Sequence, residues 1–215
     1  LLSLSLPQPD ERWLQGFADG LFALADAHGV ELVGGDTVRG PLVVTIEVLG
    51  FVDPARALTR RGARPGDLLY VSGWPGESAA GLAALLRGGS TGAPDDPLVR
   101  RHLYAEPRLA LGRALAGSAT SAMDVSDGLL GDLAKLFAAS GVGATLELDA
   151  LPVSAELISR YCREECEKFV LLGGDDYELL FTLPADGPVP LESAGSQRLT
   201  RIGRIIAGSD VRCTR

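Results

Sequence analysis

The stretch Met123-Asp124-Val125-Ser126-Asp127-Gly128 places two carboxylates and a hydroxyl within four residues. Asp124 and Ser126 stand two apart on an extended segment and so share a side. Asp127 falls at the mouth of the helix predicted by the spacing of Leu129, Leu133, Leu136 and Phe137. Helix-terminal N–H groups favour anions, and Mg²⁺ takes hard oxygen ligands, often one or two carboxylates plus substrate phosphates. The stretch therefore reads either as part of a Mg²⁺-polyphosphate site or, more simply, as a strand end followed by an Asp127 N-cap worth about 1 kcal/mol. Gly34-Gly35-Asp36-Thr37 repeats the glycine–acid pattern. Its glycines permit close backbone approach to a ligand, although an ordinary turn between two strands is the better local reading. Gly173-Gly174-Asp175-Asp176-Tyr177-Glu178 adds three acids and a tyrosine. Adjacent carboxylates repel unless a cation bridges them. Arg60 is the candidate counter-charge, either forked onto a phosphate or simply solvated. Gly73 to Gly81, with Ser78 at a helix start, offers a phosphate cradle or a tightly packed helix start, and packing is favoured.

Other chemistries are excluded. The two histidines, His28 and His102, lie far apart without a second ligand type at metal spacing, so neither a zinc site nor a Ser-His-Asp triad is expected. No G-x-x-x-x-G-K-[ST] occurs, and Gly141-Val142-Gly143 lacks the third glycine of a dinucleotide fingerprint. A net charge of −8, with only Lys135 and Lys168 as lysines, argues against a nucleic-acid partner. No apolar run reaches the roughly 18 residues of a membrane span. Cys162, Cys166 and Cys213 form no disulfide framework, which points to a reducing compartment, the cytoplasm.

The elements that must position these groups follow from periodicity. With 215 residues and 46% apolar content the chain can bury one large or two small cores. Leu2 to Leu6 alternates as a strand, and Pro9-Asp10 opens a helix that stops at Gly29. Val30 to Val33 reads as a short strand and Leu42 to Phe51 as a long one. Asp53-Pro54 is the expected boundary between residues 1–53 and 54–215. Beyond it come a strand at Leu68–Ser72, a helix at Ser78–Leu86, a surface loop at Gly88–Pro97, and a helix at Leu109–Ala116. A strand into Asp124 and its helix follow, then a strand at Ala144–Leu148 and a helix within Pro152–Glu165. Leu179–Leu183 and Arg201–Ile206 are strands. The order predicts a layered α/β (α+β) fold. The chain starts without Met, inside a strand, and stops within another, so an incomplete N-terminal part is expected.

Five stretches in this order resemble the thiamine-monophosphate kinase family: Gly34-Gly35-Asp36-Thr37 through Pro41, Leu58-Thr59-Arg60, Gly76 through Leu82, Asp124-Val125-Ser126-Asp127-Gly128-Leu129, and Gly173 through Leu179. The family belongs to the superfamily of aminoimidazole-ribonucleotide synthetase and selenophosphate synthetase. The resemblance implies a two-domain fold of that type, a homodimer formed through the first domain, and ATP held through Mg²⁺ by aspartates. Carried over, it makes Asp36, Asp124 and Asp127 metal ligands and Gly35, Asp36, Arg60 and Ser126 ATP contacts. Asp175 becomes an acceptor contact where the family usually has Glu. No side chain is implied as nucleophile or general base. The family's N-terminal segment, with further metal-binding aspartates, and its C-terminal aromatic segment have no counterpart here. The implied reaction phosphorylates thiamine monophosphate to thiamine diphosphate with ATP. The alternatives are another ATP-using synthetase of the superfamily and a dimeric scaffold that binds nucleotide without turnover.

Overall fold

A computed structural model describes residues 1–88, 95–190 and 197–215. The chain divides into two compact units, Leu1–Val52 and Asp53–Arg215. Among the described residues no helix is long and apolar enough to cross a membrane.

In the first unit, strand β1 (Leu2–Leu6) lies between β2 (Gly35–Arg39), parallel to it, and β3 (Val43–Ile46), antiparallel. Helix α1 (Glu11–Ala27) makes the β1-to-β2 crossover that parallel strands require. Asp10 caps it, accepting from the Trp13 amide at 3.1 Å. The expected strand at Val30–Val33 is not formed. The Val30 amide instead bonds back to the Ala25 carbonyl at 2.9 Å, finishing the helix. The strand begins at Gly35, so the glycine–acid stretch is not a turn but the start of β2. Gly35 passes so close to β1 that a Cβ there would stand 1.8 Å from the Leu2 carbonyl oxygen. The long strand expected over Leu42–Phe51 is likewise confined to Val43–Ile46. Its ladder with β1 ends at the Leu2–Ile46 pair and the bond from the Glu47 amide to the Leu1 carbonyl.

The second unit is built on six strands in the order β5-β7-β4-β8-β6-β9: β4 (Leu68–Ser72), β5 (Ser121–Val125), β6 (Gly143–Glu147), β7 (Glu178–Leu183), β8 (Leu199–Ile206) and β9 (Val211–Thr214). Pairings are antiparallel except β6 with β9. Alternation along β4 sends its side chains into two cores. Leu69 and Val71 join the larger one, packed with Leu133, Leu136 and Phe137 of α5 (Leu129–Ser140) and Val170 of α7 (Arg163–Leu172). Tyr70 stacks on its cross-strand partner Phe181, ring centroids 5.5 Å apart, in a smaller core with Leu111 and Leu115 of α4 (Leu109–Leu115).

Two helices precede α4. Helix α2 (Glu77–Gly88) matches expectation, but α3 (Pro97–Leu103) was not anticipated from the sequence. Its signal was the Asp96-Pro97 pair, an N-cap followed by proline at the first helical position; Asp96 accepts from the Leu98 amide at 2.9 Å. Residues 89–94 of the expected loop lie outside the described residues. The helix expected within Pro152–Glu165 is α6 (Ala155–Arg160), and a second helix, α7, follows it after the extended residues Tyr161 and Cys162.

Helices α2 and α3 meet at Gly81, where a Cβ would stand 2.0 Å from the Leu98 carbonyl oxygen. Gly81→Ala should therefore destabilise the protein by about 1–3 kcal/mol through forced separation. Gly131→Ala, in α5 with nothing within 4 Å of the added carbon, should stabilise it by roughly 1 kcal/mol through helix propensity. Urea unfolding of the two variants checks the opposite signs.

Candidate active site

The β5-to-α5 junction is organised by an acid that sequence reasoning passed over. Asp132, in the first turn of α5, is fully buried. Its Oδ2 accepts from the amides of Ser126 at 2.8 Å and Asp127 at 3.0 Å. Asp127 is not the N-cap. Gly128 holds that position at φ 98° with no side-chain cap, and a Cβ there would stand 2.8 Å from the Leu172 carbonyl oxygen. Asp124 and Asp127 are exposed, and Ser126 is partly buried. Lys135, one turn beyond Asp132, donates to Asp127 at 2.5 Å and to Asp132 at 2.8 Å, and these bonds raise its pKa. The signal for Asp132 was an acid between Leu129 and Leu136 on the buried stripe of the helix.

The Gly173–Glu178 loop lies directly against this junction. The Asp175 amide donates to the Ser126 carbonyl and the Tyr177 amide to the Val125 carbonyl, both at 2.9 Å. Gly174 permits the approach, since a Cβ there would come within 2.6 Å of the Ser126 carbonyl oxygen. Two of the three glycine–acid stretches, with Asp124, Ser126, Asp127 and Asp175, are thus brought side by side.

Inward and outward residues alternate along the loop. Asp176, 5% exposed, accepts from the amides of Gly76 at 2.7 Å and Ser78 at 3.1 Å, at the start of α2. Glu178, fully buried, accepts from Arg101 at 2.5 Å, from Ser72 at 2.5 Å, and from Arg108 through two bonds of 2.6 and 2.8 Å. The expectation that these neighbouring acids need a bridging cation is corrected: helix amides compensate Asp176 and two arginines compensate Glu178. Arg101 and Arg108 are the counter-charges, not Arg60. The open ends of Gly73–Gly81 are likewise filled from within. The Asp176 carboxyl takes the helix-start amides, and Gly73 leaves room for Glu178, whose Oε1 a Cβ would meet at 1.9 Å. Burial pushes the Asp176 carboxyl up to about 7, against the two amide bonds. Burial opposes the Glu178 charge too, but the bonds and charge of Arg108, with Ser72 and Arg101, hold its pKa below the usual range.

Arg60 lies on an exposed connector along the outer edge of β5. The Ala122 amide donates to the Thr59 carbonyl at 2.9 Å and the Ser140 hydroxyl to the Arg60 carbonyl at 2.8 Å. Among the described residues its guanidinium enters no ion pair. In the first unit, Asp36 is exposed on β2 opposite Ser3 and accepts from the Thr37 amide at 2.8 Å. The missing Cβ of Gly35 serves the pairing with β1. Among the described residues no three His, Cys, Asp or Glu side chains converge into a metal cage. The exposed carboxylates of Asp124 and Asp127 suit an ion that keeps waters and substrate phosphates as its other ligands, the habit of Mg²⁺.

Comparison with known proteins agrees with this architecture. Residues 1–52 match the N-terminal domain, and residues 64–214 the C-terminal domain, of AIR synthase related protein. The chain belongs to the AIR synthase related family. A family relative, thiamine-monophosphate kinase of Escherichia coli (strain K12), is 49% identical over 185 residues, 85% of this chain and 57% of that protein. The chain thus spans somewhat more than half the length of the curated relatives it matches. A crystal structure of thiamine-monophosphate kinase from Stenotrophomonas maltophilia K279a superposes with a TM-score of 0.91 at 42% identity, covering 99% of this chain and 70% of that one. AaThiL complexed with AMPPCP and TMP superposes with a TM-score of 0.83 at 31% identity, over 99% of this chain and 68% of the other.

The raised pKa of Asp176 gives its stability contribution a sign. The folded state holds this proton more tightly than the unfolded chain, whose ordinary value is 3.8. The contribution is therefore complete below about pH 4 and lost as pH rises through about 7, a change on the order of 4 kcal/mol. Urea unfolding between pH 4 and 8 should show wild type losing more stability with rising pH than Asp176→Asn. Parallel profiles would mean that the carboxyl is not desolvated.

Proposed function

We propose that this protein transfers the γ-phosphoryl group of ATP to the phosphate of thiamine monophosphate, giving thiamine diphosphate. The observation that carries the reading is the clamped pair of stretches in the second unit. It presents Asp124, Ser126, Asp127 and Asp175 together, within a fold shared over nearly the whole chain with a protein complexed with AMPPCP and TMP. In the proposed assignment Asp124 and Asp127, with Asp36, hold Mg²⁺, and Gly35, Asp36, Arg60 and Ser126 contact ATP. The proposed domains are residues 1–53, the remainder of an N-terminal ATP-binding and dimerisation domain, and 54–215, a C-terminal α/β domain that carries Arg60, Ser126 and Asp175. A cytoplasmic homodimer is the proposed working form.

The chemistry asks little of any one side chain. The acceptor oxygen of a phosphate monoester is already anionic near neutral pH, so no strong base is required. The obstacle is repulsion between two polyanions, removed by alignment and by neutralising charge. Mg²⁺, when bound, supplies that neutralisation. Asp124 and Asp127 offer it ligands whose backbone is held by Asp132 and β7, so little reorganisation is needed. Lys135 neutralises Asp127 in the structure described and would have to yield that oxygen to the ion. Arg60, on its pinned connector, can fork onto phosphate oxygens. Asp175 offers a carboxylate to the cationic thiazolium ring of the acceptor.

Asp124→Asn and Asp127→Asn should each lower turnover at least a hundredfold and weaken Mg²⁺-dependent ATP binding, with thermal unfolding within a few degrees of wild type, since both side chains are exposed. Titration calorimetry with and without Mg²⁺, beside a steady-state assay, checks both parts. Near-normal turnover in both variants would remove them from the metal.

Asp175→Ala should raise KM for thiamine monophosphate about tenfold while KM for ATP stays near wild type, the pattern of lost ground-state binding. Asp175→Glu should be tolerated. A loss confined to ATP would move Asp175 out of the acceptor half of the site.

A further inference from the structure

Asp175 and Tyr177 are the residues other than glycine with positive φ among the described residues, at 62° and 52°. The left-handed region is tolerable for Asp, whose short polar side chain visits it with some regularity, but for a bulky residue it is an outlier. At Tyr177 the surroundings enforce it. Asp176, between the two, is anchored to the first amides of α2, and the amides of Asp175 and Tyr177 are bonded to the Ser126 and Val125 carbonyls. Glu178 then enters β7 under its two arginines. With 176 and 178 both drawn inward, 177 must face outward.

The Tyr177 side chain does little for the fold in return. It is 45% exposed and lies outside both hydrophobic cores. Its hydroxyl makes one long bond, 3.4 Å to Asp175. Asparagine or glycine would hold the same backbone with less strain. A strained residue whose side chain is not used for packing points to use by something else. The ring also stands in a negative field: burial first, then the charges of Asp175, Asp124 and Asp127, push its phenol pKa up. A half-exposed, electron-rich ring among carboxylates suits a flat cation, which gains from the ring face and from the surrounding charge together.

We propose that Tyr177 is a specificity-determining residue of the acceptor half of the site, its ring the platform for the cationic heteroaromatic ring of the acceptor. This rests on the phosphoryl transfer proposed above. It assigns Tyr177 a task different from that of Asp175: the carboxylate supplies charge, while the ring supplies area and selects a planar cation over a neutral ring of the same shape.

The test is steady-state kinetics on the full chain with two acceptors, thiamine monophosphate and its neutral isostere in which carbon replaces the thiazolium nitrogen. Tyr177→Phe keeps the ring face and should stay within about twofold of wild type. Tyr177→Leu should raise KM for thiamine monophosphate roughly five- to thirtyfold, raise that for the neutral isostere much less, and leave KM for ATP unchanged. Tyr177→Asn, relieved of backbone strain, should unfold at the same or higher urea concentration than wild type while showing the same acceptor defect. A leucine variant with unchanged acceptor KM, or with both acceptors weakened equally, overturns the platform. So does an asparagine variant whose defect is matched by lost stability. Wild-type protein that does not phosphorylate thiamine monophosphate at all overturns the reaction itself, and the platform with it, before any variant is compared.

Discussion

Asp176 is an ionisable group 5% exposed, and such burial is costly unless every oxygen finds a donor. Here the donors are the amides of Gly76 and Ser78, groups that open α2 and would otherwise lack partners inside the helix. One contact therefore meets two needs: the helix start gains a cap and the carboxyl gains a site. Much of the second unit's site depends on it. It ties the loop before β7 to the helix after β4, across a sequence separation of about 100 residues. It leaves Asp175 and Tyr177 no direction but outward. It also fills the anion site that the glycine-rich helix start would otherwise offer.

The same economy appears on the other side of the site. Asp132 bonds to the backbone of Ser126 and Asp127 from within the helix they precede. The exposed acids thus stand on a backbone held by buried acids: Asp132 under Asp124–Asp127, Asp176 and Glu178 around Asp175. On the proposed assignment, a metal or cationic ligand approaching Asp124, Asp127 and Asp175 meets exposed carboxylates on a backbone that is already held. Preorganised charge of this kind is what transfer between two anions requires. Two acids of opposite pKa tendency, Asp176 raised and Glu178 lowered, follow from the difference between amide partners and arginine partners at similar burial.

Much of the fold was legible in the sequence because it rests on local rules. The strands at Leu68–Ser72 and β7, which are short apolar runs, helix α5 with its helical spacing, and the alternating strand β6 follow from residue pattern alone. The misreadings fall where a partner distant in the chain decides. Val30–Val33 has strand composition, yet β1 pairs with Gly35–Arg39, where a glycine permits the approach.

By itself the sequence determined which residues could do chemistry and roughly where they sit on their elements. Asp124, Ser126 and Asp127 at a strand-to-helix junction, and a third acidic junction at Gly173–Glu178, follow from residue types at short spacing, and short spacing is preserved by any fold of this chain. What it could not determine is which acids face outward. Asp175, Asp176, Tyr177 and Glu178 are consecutive, and their division into exposed and buried depends on Gly76, Ser78, Arg101 and Arg108, some 70 to 100 residues away. Side-chain direction in a loop is not set by a local period as it is in a helix or strand. It is set by whichever distant donors the tertiary structure brings within hydrogen-bonding reach, and only the folded chain shows which they are.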